Sequence, residues 1–228
     1  MKINLKNGKS LSATFPFRFF DDKAEWEDYD REFPDIVATA VNTPEDRFKG
    51  NSIEVFKKAV EYIPRSLIGR PYQYWMAHKL IALLSEENKS RILDYGCGAG
   101  NMGFIFAHAG FQVDFAEVKG VITDFLQWRV EKHFLGCKVF SHENDLGEAQ
   151  YDLVCMQNVM EHLDTPLEVL QKLVRAMSKG AYFLITFNTS GKGLDVVSQE
   201  TYNTILLPYL LENFNVVEDT DLMLYQKK

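Results

Sequence analysis

The stretch Arg91-Ile92-Leu93-Asp94-Tyr95-Gly96-Cys97-Gly98-Ala99-Gly100 passes from an apolar run into three alternating glycines, and Asn101 to Ala109 then has helical character up to Gly110. A strand, a glycine loop and a helix in that order form the opening unit of a parallel α/β sheet. Ligands of such sheets bind beyond the carboxyl ends of the strands, where the first strand-to-helix turn brings the backbone close. Glycines in that turn remove Cβ atoms from the approach, and the free amides of the helix N-terminus suit an anionic group.

Working outward, short apolar runs continue to alternate with helical patterns. Phe111 to Val118 reads as the second strand, Ile122 to His133 as a helix, Lys138 to Ser141 as the third strand and Tyr151 to Met156 as the fourth. The next helix has Asp164 or Thr165 to cap it, Pro166 in its first turn, and one face made of Leu167, Leu170, Leu173, Val174 and Met177 before Gly180. Ala181 to Asn188 reads as the fifth strand, and Gln199 to Leu211 as a helix. The chain then offers Phe214-Asn215-Val216-Val217-Glu218 and Leu222-Met223-Leu224-Tyr225 around Asp219-Thr220-Asp221, which predicts an antiparallel hairpin closing the sheet.

The glycine loop acquires meaning from its surroundings. Glu117 ends the second strand 21 positions after Gly96, close to the roughly 20-residue spacing of an acid that hydrogen-bonds a ribose diol. The dinucleotide fingerprint needs a glycine three positions after Gly98, where Asn101 stands, and here the third glycine comes two positions after it. Asp94, two residues before Gly96, suits a methionine-bearing ligand by orienting the loop or accepting from its α-amino group. The pattern favours S-adenosylmethionine over a nicotinamide cofactor.

Ile92 to Gly100 resembles motif I of class I methyltransferases, and Tyr151-Asp152-Leu153-Val154 with Glu161-His162-Leu163 and Pro166 resembles their fourth-strand motif. The resemblance runs from about residue 90 to the C-terminus. The chain also resembles the ubiquinone-biosynthesis O-methyltransferase subgroup, through Thr186-Phe187-Asn188-Thr189-Ser190-Gly191-Lys192. The resemblance implies a Rossmann-like fold, a parallel sheet ending in an antiparallel hairpin. It also implies that Gly96, Cys97 and Gly98 present backbone to the methionine part, that Glu117 with the adjoining Val118 meets the ribose, that Asp145 and Leu146 meet the adenine, and that Gln157 makes a further contact. Arg70 and Tyr72 lie ahead of the first strand, where relatives cover the methionine carboxylate; Arg70 can pair with it. His162 is the candidate base for a hydroxyl acceptor, against the alternative that it closes the turn before the next helix. Metal-binding relatives carry an acid where Asn158 stands, so no metal is expected.

The first 75 residues are expected to form a helical cap that recognises substrate, with residues 76–228 as the methyltransferase domain. Ile53 to Ile63 has helical spacing, as does Tyr72 to Leu84, and Phe15-Pro16-Phe17-Arg18-Phe19-Phe20 is too aromatic for a free tail. Residues 21–32 carry seven acids against Lys23 and Arg31, a run expected to be a solvated surface. A net charge of -7 without a basic cluster argues against nucleic acid and anionic membranes as partners. No apolar stretch reaches the ~18 residues of a membrane span, and the polar start Met1-Lys2-Ile3-Asn4 lacks a signal core, so a cytoplasmic protein is expected. Cys97, Cys137 and Cys155 lack paired spacing and read as reduced thiols. The expected activity is methyl transfer to an O or N atom of a small molecule. The alternatives are a silent methyltransferase-like binding subunit, marked by loss of the glycines or the acid, and an NAD(P)-dependent oxidoreductase.

Overall fold

A computed structural model describes residues 2–4, 10–12, 22–34, 71–133, 135–141, 146–187, 196–217 and 223–228. Two short strands, β1 (Lys2–Asn4) and β2 (Ser10–Ser12), pair with each other, and the helix α1 (Asp22–Glu32) follows. The rest is a layered α/β unit. Helix α2 (Pro71–Glu86) leads into β3 (Arg91–Tyr95), and α3 (Asn101–His108) into β4 (Gln112–Glu117). After α4 (Val121–Lys132) come β5 (Lys138–Ser141), β6 (Tyr151–Gln157), α5 (Pro166–Ala176) and β7 (Met177–Thr186). A helical stretch made of α6 (Gln199–Thr201), a π-helical turn (Tyr202–Leu206) and α7 (Leu207–Asn213) precedes β8 (Phe214–Val216) and β9 (Leu224–Lys227).

The seven-stranded sheet has the order β5-β4-β3-β6-β7-β9-β8. Strands β3 to β7 run parallel, while β9 is antiparallel to both β7 and β8. This is the Rossmann-like arrangement with an antiparallel end that the sequence predicts; the turn between β8 and β9, residues 218–222, lies outside the described residues. The chain order reverses between β3 and β6, so the crevice beyond their carboxyl ends is the expected ligand position.

Two apolar layers hold the sheet because successive strand residues point to opposite faces. Ile92 packs with Met76, Leu80 and Leu84 of α2, Phe104 and Phe106 of α3, and Leu126 of α4. On the other face Leu93 and Tyr95 pack with Leu170 and Leu173 of α5 and with Leu206 and Leu210.

The boundary between α5 and β7 differs from expectation. Helix α5 ends at Ala176 and Met177 already belongs to β7, paired with Tyr151; a register shift then brings Tyr182 opposite Leu153, with Gly180 at φ +71 between them. Met177 suits either reading because it is buried both as the end of an apolar helix face and as a strand residue. Thr165 stands at the N-cap of α5, but its side chain makes no cap hydrogen bond there, leaving Pro166 as the local helix-starting device. The predicted helix over 53–63 and the aromatic stretch 15–20 lie outside the described residues. Among the described residues no helix is long and apolar enough to cross a membrane.

Candidate functional site

The loop between β3 and α3 is clamped from below. The amides of Gly96 and Cys97 donate to the carbonyl of Ala116 on β4 at 2.8 and 3.4 Å, and Gly100 donates back to Cys97 at 2.9 Å. The glycines serve different ends. At Gly96, with φ +65, a Cβ would lie 2.3 Å from a methyl carbon of Val159, so this residue lets the loop pack against the segment after β6. Gly98 has φ +56, and a Cβ there would meet no atom within 4 Å. Gly98 is therefore the glycine that opens onto the crevice. Its bare backbone is a cradle that a side chain would fill.

Asp94 is buried, and its carboxylate accepts from the amide of Gly103 at 2.9 Å. Gly103 is the third residue of α3, so Asp94 serves one of the amides the helix start leaves open. Burial dominates its titration, pushing the carboxyl up to about 7 against the effect of the Gly103 amide; the nearby Glu117 charge adds to the rise. Glu117 projects from the end of β4 to the same loop. One of its oxygens accepts from the Gly98 amide at 2.6 Å and the other from the Val118 amide at 2.8 Å. Burial also raises its carboxyl, and those two amides oppose the rise. Val118 is exposed on the lip of the crevice.

The thiol of Cys97 is pushed well up by burial and by the charges of Asp94 and Glu117, so it stays protonated and is no nucleophile. Gln157, at the end of β6, is half-buried, and its amide nitrogen lies 3.3 Å from the sulfur of Met76 on α2. Asn158 follows with φ +52; its amide donates to the Thr186 hydroxyl at 2.9 Å and its side-chain oxygen accepts from that hydroxyl at 3.2 Å. His162 closes the 3-10 turn Met160–His162 by donating its amide to Val159 at 2.9 Å. Glu161 beside it is buried, and its carbonyl accepts from the amides of Val196 and Val197 at 2.8 and 3.1 Å.

The structure thus gathers Asp94, Gly96, Cys97, Gly98, Glu117 and Val118 around one loop. Leu146 belongs to the core, 2% exposed, and its carbonyl accepts from the Gln150 side chain, so its side chain does not line the crevice. Tyr72 sits in the first turn of α2; its side chain lies outside the described residues, as do Arg70 and Asp145 altogether.

Three contributors escape motif reading. Gly103 must lack a side chain because a Cβ would come within 2.2 Å of the Phe115 ring and 3.0 Å of the Asp94 carboxylate. Val159 forms the wall behind Gly96. Arg129, fully buried, donates from Nη1 to the Ala99 carbonyl and to Asn101 Oδ1 at 3.0 Å, and from Nε to Glu25 at 2.6 Å. A readable signal existed for Arg129, since it falls four residues after Phe125 on the apolar stripe of α4. Glu25, which holds Arg129, is itself only 9% exposed, so the acidic run is not wholly a solvated surface: one of its acids is consumed by a buried ion pair.

No curated protein matches the chain in sequence. Among solved structures, the PH0226 protein from Pyrococcus horikoshii OT3 is similar at 14% identity and TM-score 0.52, over 70% of this chain and 92% of that one. A SAM dependent methyltransferase from Aquifex aeolicus is similar at 20% identity and TM-score 0.49, over 66% of this chain and 87% of that one. The chain spans 57% of the length of the cyclase SpnF, at 16% identity and TM-score 0.49 over 61% of this chain. At 14% identity the likeness to the PH0226 protein concerns the fold alone. The model of the methyltransferase domain matches residues 69–195, which take in α2, the glycine loop, Glu117 and the end of β6. With that match across more than half of its length, the chain belongs to the methyltransferase domain family, whose methyl donor is S-adenosylmethionine.

Proposed function

We propose that the chain transfers a methyl group from S-adenosylmethionine to an O or N atom of a small molecule, in the manner of the ubiquinone-biosynthesis O-methyltransferase-like subgroup. The observation that carries the placement of the donor is Gly98: a left-handed glycine facing open space at the switch point, with the Glu117 carboxylate on its amide. Each carboxylate oxygen has a second lone pair, so Glu117 can keep its two amides and still accept from ribose hydroxyls. Gly98 would present backbone to the methionine part, Gln157 would bound the crevice on the β6 side, and Val118 would cover the lip.

S-adenosylmethionine supplies a methyl group on a sulfonium, whose transfer to a lone pair is downhill. What remains for the chain is to align the acceptor and exclude water. His162 is the residue we propose to take a proton from a hydroxyl acceptor. The N-terminal 75 residues, as a cap, would supply most of the acceptor specificity, because substrate contacts in this fold come from segments outside the sheet. A net charge of -7 suits a small molecule better than a phosphate backbone, and the unpaired cysteines suit the cytoplasm.

The test is calorimetric titration with S-adenosylhomocysteine and with NADH, repeated on Gly98→Val and Glu117→Ala. The homocysteine analogue is expected to bind the native chain and neither variant, and NADH to give no heat. Binding of NADH alone sinks the methyltransferase reading. Native-like binding by Gly98→Val sinks the placement of the donor. Methyl transfer from labelled donor to a panel of phenols and amines then separates O from N acceptors, and a loss of phenol turnover in His162→Ala at neutral pH, recovered at high pH, is the mark of a base.

A further inference from the structure

Helix α4 turns an apolar stripe of Ile122, Phe125, Leu126 and Val130 toward the core, and Arg129 interrupts it with a guanidinium that is 0% exposed. The cation lies over the Phe104 ring at 4.5 Å and the Phe125 ring at 5.5 Å. A buried cation is tolerated only when its charge is met and its donors are occupied. Here the charge is met by Glu25 of α1, while Nη1 reaches the underside of the glycine loop at Ala99 and the first residue of α3, Asn101. Ala99 lies between Gly98, whose face opens on the crevice, and Gly100, whose φ is +78. Holding the Ala99 carbonyl fixes the plane of the Ala99–Gly100 peptide, and so the turn by which the glycine loop enters α3.

Glu25 is committed as well as buried. Its second oxygen lies 2.6 Å from Nε2 of His133 at the end of α4. The rest of α1 docks along α4 through Tyr29, which is buried against the Phe125 and Trp128 rings at 5.4 and 5.6 Å. The more exposed acids of the helix face outward groups: Asp28 pairs with Lys132 at 3.0 Å, and Glu32 accepts from the Trp128 indole at 3.2 Å. Among the described acids of the run, Glu25 is the one that points inward, and it ends on the arginine that holds the loop.

We propose that Arg129 is a positioning residue for the cofactor loop and that Glu25 sets it, so that docking of the N-terminal helix and occupation of the crevice are coupled. The coupling rests on the placement of the donor at Gly98 proposed above. Linkage makes it reciprocal: if α1 docking improves the loop for its ligand, the ligand must stabilise α1 docking by the same factor.

The experiment titrates the full chain with S-adenosylhomocysteine at a temperature where every variant is folded, and follows trypsin cleavage after Arg31, whose side chain is 75% exposed. Glu25→Gln is nearly isosteric, removes the charge and keeps one oxygen to accept, where the carboxylate engages both. Arg129→Met removes the fork and Arg129→Lys keeps the charge without it. Asp28→Asn breaks an exposed pair on the same helix without touching Arg129. Glu25→Gln and both Arg129 variants are expected to bind about tenfold more weakly or worse, while Asp28→Asn binds as the native chain does. Saturation with the ligand is expected to slow cleavage after Arg31 in the native chain and not in Glu25→Gln. If Arg129→Met fails to fold, Glu25→Gln decides. Native-like affinity in Glu25→Gln, with only a lower unfolding temperature, makes the ion pair merely structural and overturns the coupling. Should Gly98→Val bind like the native chain, the site reading falls and the coupling with it. Loss of binding in Gly98→Val beside unchanged binding in Glu25→Gln overturns the coupling alone.

Discussion

Asp94 offers a test in which stability and function should move in opposite directions. Its carboxyl titrates near 3.8 when unfolded and is pushed up to about 7 by burial in the fold. Below the lower value both states hold the proton and the residue is neutral to stability. Between the two values the folded chain retains a proton that the unfolded chain releases, so stability falls as pH rises; above about 7 the cost is complete. At 1.36 kcal/mol per pH unit, that cost has a ceiling of about 4 kcal/mol. Asp94→Asn has no such titration and keeps an oxygen for the Gly103 amide, which the carboxylate holds at 2.9 Å. Urea unfolding of both proteins should therefore show the variant gaining on the native chain by roughly 3 kcal/mol between about pH 5 and about pH 8. The same substitution is expected to weaken S-adenosylhomocysteine, because an amide is a poorer acceptor for the ligand's ammonium group. Parallel stability curves over that pH range would refute the buried-acid argument. Undiminished ligand affinity would leave Asp94 as a helix cap with no part in binding.

The first two glycines of the loop should fail differently. Gly98→Val is expected to cost only about 1–2 kcal/mol, the strain of a side chain at positive φ, while abolishing heat from S-adenosylhomocysteine. Gly96→Ala should unfold at lower urea because its Cβ meets Val159 at 2.3 Å, and Val159→Ala should recover part of that loss in a double-mutant cycle. Tyr151 begins β6 at the opposite end of the sheet and donates to Asp114 at 2.9 Å, so Tyr151→Phe should lose about 1–2 kcal/mol with no change in ligand affinity. Leu173 on α5 is fully buried, and Leu173→Ala is expected to lose about 2–5 kcal/mol in the same urea assay, again without effect on the ligand.

What could be read beforehand was local. β5 matched its predicted span at both ends, and β6 ran one residue longer, since apolar runs and bounding turns are properties of neighbouring residues. The glycine loop and Glu117 were legible for the same reason: the fold fixes their separation along the chain. The assignment of each glycine was not legible. Gly96 and Gly98 look alike in sequence, and only the crossing of the segment after β6 decides that one is closed by Val159 and the other faces the crevice. The end of α5 is not legible in the sequence because an apolar helix face and a buried strand make the same demand on Met177. The side chain of Leu146 belongs to the core, which an apolar residue after a poorly patterned strand serves equally well.

The acidic run shows how a partner distant in sequence changes the meaning of a charge. On α1, Glu25 shares a face with Tyr29 four residues on, and on α4, Arg129 shares one with Phe125 four residues before it. Each is an anomaly by itself, a charge beside a residue that belongs in the core. An acid on an apolar-flanked face, taken alone, is most economically a solvated side chain whose neighbours happen to be aromatic. An arginine on an apolar stripe, taken alone, is most economically one whose stem is buried and whose head reaches water. The two readings are wrong together for one reason: the anomalies are complementary in sign and meet at 2.6 Å, 104 residues apart, where the arginine has no water to fall back on and the acid little. Opposite charges set on apolar helix faces within one chain are thus worth pairing before either is assigned to the surface. Here the pairing does more than neutralise, because the guanidinium has donors left over once Glu25 is satisfied. Those donors are spent on Ala99 and Asn101, so the acid that looked farthest from the chemistry stands two contacts from the loop that would carry it.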